Sequence, residues 1–426
     1  MKTIPFWIDT ADPFPDRSGK PLPEDTDLVV VGGGLTGLST ALHAARKGAR
    51  VTLVEKGQVG SGASARNGSM CNLGFTIGVR QAIRRYGLER AREIYNSYGK
   101  AVDSVEQLVA EESIDCQFRR VGRLGVAYRP AHFAHKQAQQ RDLARYFGHE
   151  TELIGKAELR SEIGSDAYHG ALLDPLSAGL HVGRYVRGLA DAAERTGVEI
   201  HERNAATGVR RGPGGRFQVL TERGVIDAGQ VMMATDAYTD TSFPWLRRKQ
   251  VCVGSFIIVT EPLGEELARE IIPRGRLVVD SKNIGHYFRL TPDNRLMFGG
   301  RARFAPSDPT SDKKSGAVLA REMREVFPQL ARTEVEYVWG GSVGFAMDRV
   351  PHAGQTDDGV YYSMGYAGHG VQMATYMGRV MAEVMDGHPE VNPVRGLAAP
   401  RIPLYNGTAW FLPFAGAYYR TLDRIR

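Results

Sequence analysis

VVVGGGLTGLSTALHAARKGARVTLVEK, residues 29–56, decides the fold. An apolar run enters a glycine-rich turn, a helix-length stretch follows, and a second apolar run closes on an acid. The turn has the spacing Gly32-x-Gly34-x-x-Gly37. In such a unit the first glycine permits the tight turn. The second lets the backbone approach a pyrophosphate, and the third lets helix and strand pack closely. A helix opening near Leu35 aims free N–H groups and the positive end of its dipole at phosphate. Glu55 stands where an acid accepts the hydroxyls of a ribose, and its charge disfavours a 2′-phosphate. A glycine turn without a ligand is the other reading. Strand, helix, second strand and acid in one register favour a dinucleotide.

The next residues choose between dinucleotides. GQVGSGASARNGSMCNLGF, residues 57–75, is too small and polar for core. Ser61 and Ser64 offer hydroxyls to phosphate, and Arg66 and Asn67 offer donors to phosphate or to a polar ring edge. An NAD site needs no such loop directly after its second strand, whereas an extended FAD would be touched there. Far along the chain, GYAGHGVQMATYMGRVMAE (365–383) places Gly365, Gly368 and Gly370 ahead of a helix opening near Val371. Its N-terminus suits the negative charge that a reduced flavin gathers near N1 and its C2 carbonyl. His369 stands beside that expected flavin edge, offering a hydrogen bond to flavin or substrate. RGPGGRF (211–217) reads as a hairpin turn and not as a second phosphate loop. A flavoprotein without a nicotinamide domain takes its electrons from an organic substrate and passes them to O2 or a carrier.

The 426 residues suffice for two domains. The net charge of +6 is spread over many arginines, which favours small anions and gives little reason to expect nucleic acid. The three cysteines are far apart, as expected in a reducing compartment, and they form no metal-ligand spacing. The first residues lack the apolar core of a signal peptide, and no window has the apolar length of a membrane span. A cytoplasmic protein is expected. The expected fold class is α/β, a Rossmann-type FAD-binding domain built from discontinuous segments. An α+β substrate domain with a mixed or antiparallel sheet is inserted into it. The segments read as a Pro-rich lead draped over the surface (1–26), FAD-binding domain (27–82, 150–245 and 340–392), substrate domain (83–149 and 246–339) and a C-terminal tail (393–426). A helix is expected over 80–112 and a strand pair turning at Gly122. The aromatic, basic tail reads as packing on the body or as a subunit contact, with membrane attachment the weaker alternative.

GGGLTGLSTALHAARKGARVTLVEKGQVGSGASARNG, VMMATDAYT and WGGSVGFAMDRVPHAGQ followed by VYYSMGYAGHGV resemble the D-amino-acid-oxidase-like FAD-dependent oxidoreductases, a group that includes sarcosine and glycine oxidases. The similarity is strongest to members acting on gamma-glutamyl-amines and runs nearly the whole chain. It implies that Gly32, Gly34, Gly37, Glu55 and Lys56 hold the ADP half. It places Ser61, Gly62, Ala63, Ser64, Arg66, Asn67 and Gly68 along the pyrophosphate and flavin. Val209 would meet the adenine region through its backbone, with Ala234 and Thr235 over the nucleotide. Gly365, Gly368, His369, Gly370 and Val371 would face the pyrimidine side of the flavin. Asp236 stands where the group often has glycine, and Ser69 where many relatives have a second glycine. No lysine counterpart for reaction with oxygen is evident near RLMFGGR, which leaves oxidase and dehydrogenase both open. No cysteine matches a covalent flavin link, so the FAD is expected to be non-covalent.

The resemblance implies hydride transfer from the carbon beside a neutral amine to flavin N5, then imine hydrolysis to a carbonyl compound. The leading expectation is oxidation of a small polar amine, gamma-glutamyl-amine or amino-acid-like, with H2O2 formed from O2. One alternative is a dehydrogenase of a secondary or D-amino acid, or of an aminophosphonate, using a carrier. Another is a flavin-binding subunit without turnover. On the substrate side, NIGHYFRLTPDNRLMFGGR (283–301) alternates, so His286 and Phe288 face one way and Tyr287 and Arg289 the other. Tyr287 and His286 are candidates to line the pocket or tune the amine. Arg289 either pairs with a substrate carboxylate or belongs to a surface ion pair.

Overall fold

The computed structural model describes residues 1–300, 307–400 and 405–425. Two eight-stranded sheets among these residues carry the architecture. In the first, parallel strands Gly224–Met233, Asp25–Val31, Val51–Val54 and Glu199–His201 lie side by side. Tyr361–Met364 joins parallel to Gly224–Met233, and His352–Gln355 closes that edge antiparallel. Strands Ala206–Arg211 and Phe217–Thr221 extend the same sheet as a meander. The central strand is buried on both sides because its valines alternate between two cores. Leu28 and Val30 pack with the helices, and Val29 and Val31 pack beneath the meander with Phe217 and Leu246.

The second sheet runs in the order Val335–Ala346, Gln250–Thr260, Leu296–Gly300, His286–Leu290, Leu277–Asp280, Arg123–Val126, Gly170–Asp174, Glu152–Gly155. It is antiparallel except where Leu277–Asp280 meets Arg123–Val126. Phe256, Phe288, Phe298 and Val338 form one core with residues of the helix Pro309–Val326. The opposite face sends Ile257, Met297 and Trp339 into the core shared with the first sheet. The cavity described below lies on that face.

Several sequence expectations differ from this arrangement. Glu152–Gly155 and Gly170–Asp174 fall inside the segment assigned to FAD binding, yet Gly170–Asp174 pairs with Arg123–Val126, Glu152–Gly155 pairs with Gly170–Asp174, and the two complete the second sheet. The helical stretch at 80–112 is two helices, Val79–Tyr86 and Leu88–Glu111, parted at Gly87 with φ of 76°. The longer one buries Ile94, Tyr98 and Val105 in the main core. Gly122 opens no hairpin, because Arg123–Val126 finds its partners at 170–174 and 277–280. The lead is inserted and not draped. Phe6 and Trp7 are buried, and Lys2 exchanges backbone bonds with Glu336 and Val338. Arg17, also buried, pairs with Asp191 and Glu194. At the other end Tyr405 packs against Val251 and Val253, and the helix Leu412–Ile425 follows with Phe414 and Tyr418 exposed. Among the described residues no helix is long and apolar enough to cross a membrane.

Candidate functional site

A cavity of about 720 Å³ opens at the C-terminal ends of the parallel strands and runs onto the second sheet. Gly32, with φ of 111°, makes the turn at one end. A Cβ there would stand 2.8 Å from the carbonyl oxygen of Ala234 on the neighbouring strand, so only glycine fits. Gly37 is pressed on the same turn, and a Cβ would fall 1.9 Å from the Gly32 oxygen. Glu55 accepts the Gly33 N–H at 2.6 Å through one oxygen and the Gly57 N–H at 2.7 Å through the other. Each oxygen keeps a lone pair facing the cavity for a ribose hydroxyl. Burial pushes this carboxyl above its ordinary range, opposed by those two N–H groups. Lys56 lies at the rim, 3.3 Å from Asp240.

The loop after Glu55 crosses the N-terminus of the helix Leu35–Arg46. Ser64 Oγ accepts the Leu35 N–H at 3.0 Å, standing in for the side chain that Gly34 lacks. Ser61, Gly62 and Ala63 continue the wall. Arg66 and Asn67 also line it, although their side chains brace the loop itself. Arg66 donates to the carbonyls of Ser61 and Gly340 (2.7 and 3.1 Å), and Asn67 to those of Ala63 and Ser64 (3.0 and 2.9 Å). Two buried indoles hold this loop from behind, Trp339 on the Arg66 carbonyl and Trp7 on that of Asn67. Ser69 adopts φ of 58°, a conformation costly for a residue with a Cβ, and its hydroxyl bonds to Leu180 O and Val182 N in compensation.

The far glycine turn arrives beside the first. Thr36 and Tyr366 share a hydrogen bond of 2.7 Å across 330 residues of sequence. Asp236, at φ of 37°, follows Ala234 and Thr235 at the wall, and its buried carboxylate accepts the Gly365 N–H at 2.7 Å. That side chain ties the turn after the strand Gly224–Met233 to the far glycine turn. Gly368, His369, Gly370 and Val371 line the cavity, and His369 begins the helix Gly370–Met385. Its Nδ1 is buried without a partner and its ring meets Tyr98 edge-on at 5.4 Å. Burial, then the nearby Arg123, bring this imidazole down to about 4, so it is neutral at pH 7. Val209 lies on the meander away from the cavity, and Ala205 and Ala206 form that part of the wall.

Tyr287 lies flat between Gly68 and Gly299, where Cβ atoms would come within 2.9 and 2.4 Å of its ring, and its hydroxyl is 3.0 Å from Ser255 Oγ. The His286 side chain points to the other face, between Asp280 (3.1 Å) and Glu322 (2.9 Å). Burial disfavours its charge, but the two carboxylates outweigh burial and raise its pKa. Arg289 does not reach the cavity. It donates to the carbonyls of Ser69, Leu180 and Leu290 at 2.6, 3.1 and 3.1 Å, buried under Gly179. Alternation gave its face correctly, but the short strand Ala178–Gly179 covers that end of it. Sequence reading missed Arg123, Asn72, Tyr238 and the run Lys282–Asn283, all of which line the cavity. Ala205 and Ala206, missed as well, carried a local signal, a pair of small residues shortly after the parallel strand Glu199–His201. Among the described residues no cysteine lines the cavity.

The residues fit a dinucleotide: an acid at one end, two helix N-termini along the middle, and a slot walled by Gly68, Tyr287 and His369 at the other. The family described as FAD dependent oxidoreductase (DAO) matches residues 27–384. This chain belongs to that family. As a DAO-family flavoenzyme it uses FAD and acts on the C–N bond of amines or amino acids. It is 33% identical over 404 residues to gamma-glutamylputrescine oxidoreductase from Escherichia coli, covering 94% of this chain and 93% of that one. It is 32% identical over 412 residues to probable oxidoreductase OrdL from Haemophilus influenzae, covering 95% and 93%. Among solved structures it resembles L-proline dehydrogenase from P. horikoshii, with a TM-score of 0.70 at 21% identity over 88% of this chain and 98% of that one. Glycine oxidase from Geobacillus kaustophilus gives a TM-score of 0.71 at 18% identity, covering 88% and 100%. At those identities the structural likeness shows the fold.

Proposed function

We propose that this enzyme oxidises a small polar amine bearing an acidic group, a gamma-glutamyl-amine or an amino-acid-like compound, and passes the electrons to O2 to give H2O2. The carrying observation is one cavity lined both by the glycine turns with Glu55 and by Tyr287 and His369. Similarity to gamma-glutamylputrescine oxidoreductase over nearly the whole chain supports the substrate class. FAD, held non-covalently by these residues, would supply the hydride acceptor for the carbon beside the amine; hydrolysis of the resulting imine by water would then release a carbonyl compound and the amine.

The protein has three tasks in this reading. Glu55 and the N-termini at Leu35 and Gly370 fix the dinucleotide, with Gly32, Gly34, Ser61, Gly62, Ala63, Gly68 and Gly368 giving backbone access, while Gly37 and Gly365 serve the packing of the two turns. Tyr287 and His369 border the reacting amine. The site must also keep that amine unprotonated, against a free pKa near 10. Desolvation disfavours an ammonium there. Neutral His369 presents Nδ1 as a single donor or acceptor.

The test is anaerobic mixing of the holoenzyme with a panel of amines, followed by admission of air and a peroxide assay. Bleaching by gamma-glutamyl-amines, with one H2O2 per carbonyl formed, is expected. Bleaching that air leaves in place and a dye acceptor reverses identifies a dehydrogenase. A flavin that no amine bleaches identifies a binding subunit, and the reading then fails.

A further inference from the structure

We propose that Arg123, backed by Lys136, is an anion subsite that takes a substrate carboxylate set several bonds away from the oxidised C–N bond. Which bond is oxidised rests on the function proposed above; the subsite itself is read from a guanidinium with an unbonded Nε at the cavity wall and a lysine without a partner behind it.

The other cations at the cavity wall are engaged. Lys56 pairs with Asp240, Arg66 is bound to two carbonyls, and Lys282 lies over the Tyr128 ring at 4.1 Å. Arg289, the sequence candidate for this task, is used up on backbone carbonyls. Arg123 lines the cavity, and its Nε is buried without a partner. Its nearest acid is Asp174 at 3.8 Å, beyond hydrogen-bond reach. That acid already takes the Ser177 hydroxyl and the Leu176 N–H, with His149 at 3.2 Å. A guanidinium with unused donors beside a cavity is the group that binds a carboxylate in two-point geometry.

Lys136 comes from the helix Pro130–Phe147 and places Nζ over Gly125, 3.0 Å from where a Cβ would be. Gly125 follows Arg123 by two residues, so both heads share one face of the strand. Lys136 has neither hydrogen bond nor ion pair among the described residues. Desolvation, then Arg123, bring its ammonium down to about 8. Two neighbouring buried cations, offset only by Asp174 at 3.8 Å from Arg123 and by Asp280 acting on Lys136, oppose folding, and a bound anion relieves both.

Position sets the class of substrate. Gly125 is in register with Val279, and Val279 with Tyr287. Two strand spacings separate the Lys136 head from the strand of Tyr287, about 10 Å. An α-amino acid carries its carboxylate on the carbon that is oxidised and falls short of this span. A gamma-glutamyl-amine or a long-chain ω-amino acid does not.

Calorimetric titration of the holoenzyme with glutarate tests the subsite without turnover. The wild type binds and Arg123→Gln loses binding by about 100-fold, Arg123→Lys keeps part of it, and Lys136→Met weakens it about tenfold. Steady-state kinetics with 8-aminooctanoate, sarcosine and octylamine test the span. The wild type prefers the first, and in Arg123→Gln its advantage over octylamine falls about 100-fold, through KM. Glutarate that fails to bind the wild type, or binds Arg123→Gln equally, overturns the proposal. So does a wild-type preference for sarcosine. If no amine bleaches the flavin, the proposed function fails while the glutarate titration still decides the subsite.

Discussion

His181 caps the helix Val182–Arg195 by accepting the Arg184 N–H at Nδ1, 3.2 Å away, while Nε2 stands 3.0 Å from Thr10 Oγ1. Only an unprotonated ring nitrogen accepts. Burial, then Arg184, lower this imidazole from 6.5 to about 4. Between those values the unfolded chain binds the extra proton. The contribution is therefore complete above pH 6.5 and is lost as pH falls toward 4, by up to about 1.4 kcal/mol per pH unit. Urea unfolding at pH 7 and pH 5 should show a smaller loss of stability for His181→Asn, which keeps a capping acceptor and removes the titration; equal losses would contradict this. Residue roles were legible where local geometry dictates them, as at Gly32 and Glu55. Arg289 shows the limit, since the carbonyls it binds come from residues 69 and 180.

At the scale of elements, the two helices that present their N-termini to the cavity touch through small residues. Gly378 lies on Ser39 and Thr36; a Cβ there would stand 2.6 Å from Ser39 Cβ and from the Thr36 oxygen. Ser39 and Thr40 bond across to the carbonyls of Thr375 and Gly378 at 2.7 and 3.2 Å. Overpacking this crossing costs about 1–3 kcal/mol and parts the two N-termini. Purified Gly378→Val should carry well under half the wild-type flavin per protein by visible absorbance, and Gly378→Ala a smaller deficit. Full flavin content in Gly378→Val would show that the crossing does not set the site. Periodicity found the helices because their apolar faces repeat, but it ran two of them together at Gly87. The break there depends on a positive φ, which helical periodicity does not report.

Across the whole molecule, the N-terminal lead ties the two sheets to the flavin loop. Trp7 is fully buried, stacked edge-on with Phe6 and His181, and hydrogen-bonded to Asn67 O at 2.9 Å. Trp7→Ala should cost about 3–5 kcal/mol of unfolding free energy, against about 1 kcal/mol for Trp7→Phe, which loses chiefly the hydrogen bond. Denaturant melts of the two variants check this, and a Trp7→Ala protein as stable as wild type would mean that the lead is an ornament on the surface. Composition had suggested such an ornament, because polar and proline-rich residues surround the few that are buried. By itself the sequence determined the phosphate turn, the class of cofactor and the discontinuous plan. These follow from glycine sterics, the spacing of strand, turn and helix, and two helix starts that suit one extended anion. Only the tertiary structure decided that Asp236 holds the far glycine turn, that Arg289 is spent on the scaffold, and that Arg123 stands at the cavity wall with an unbonded Nε. The physical reason is that sequence periodicity assigns a side chain to a face. Its partners come from the register of strands far apart in the chain.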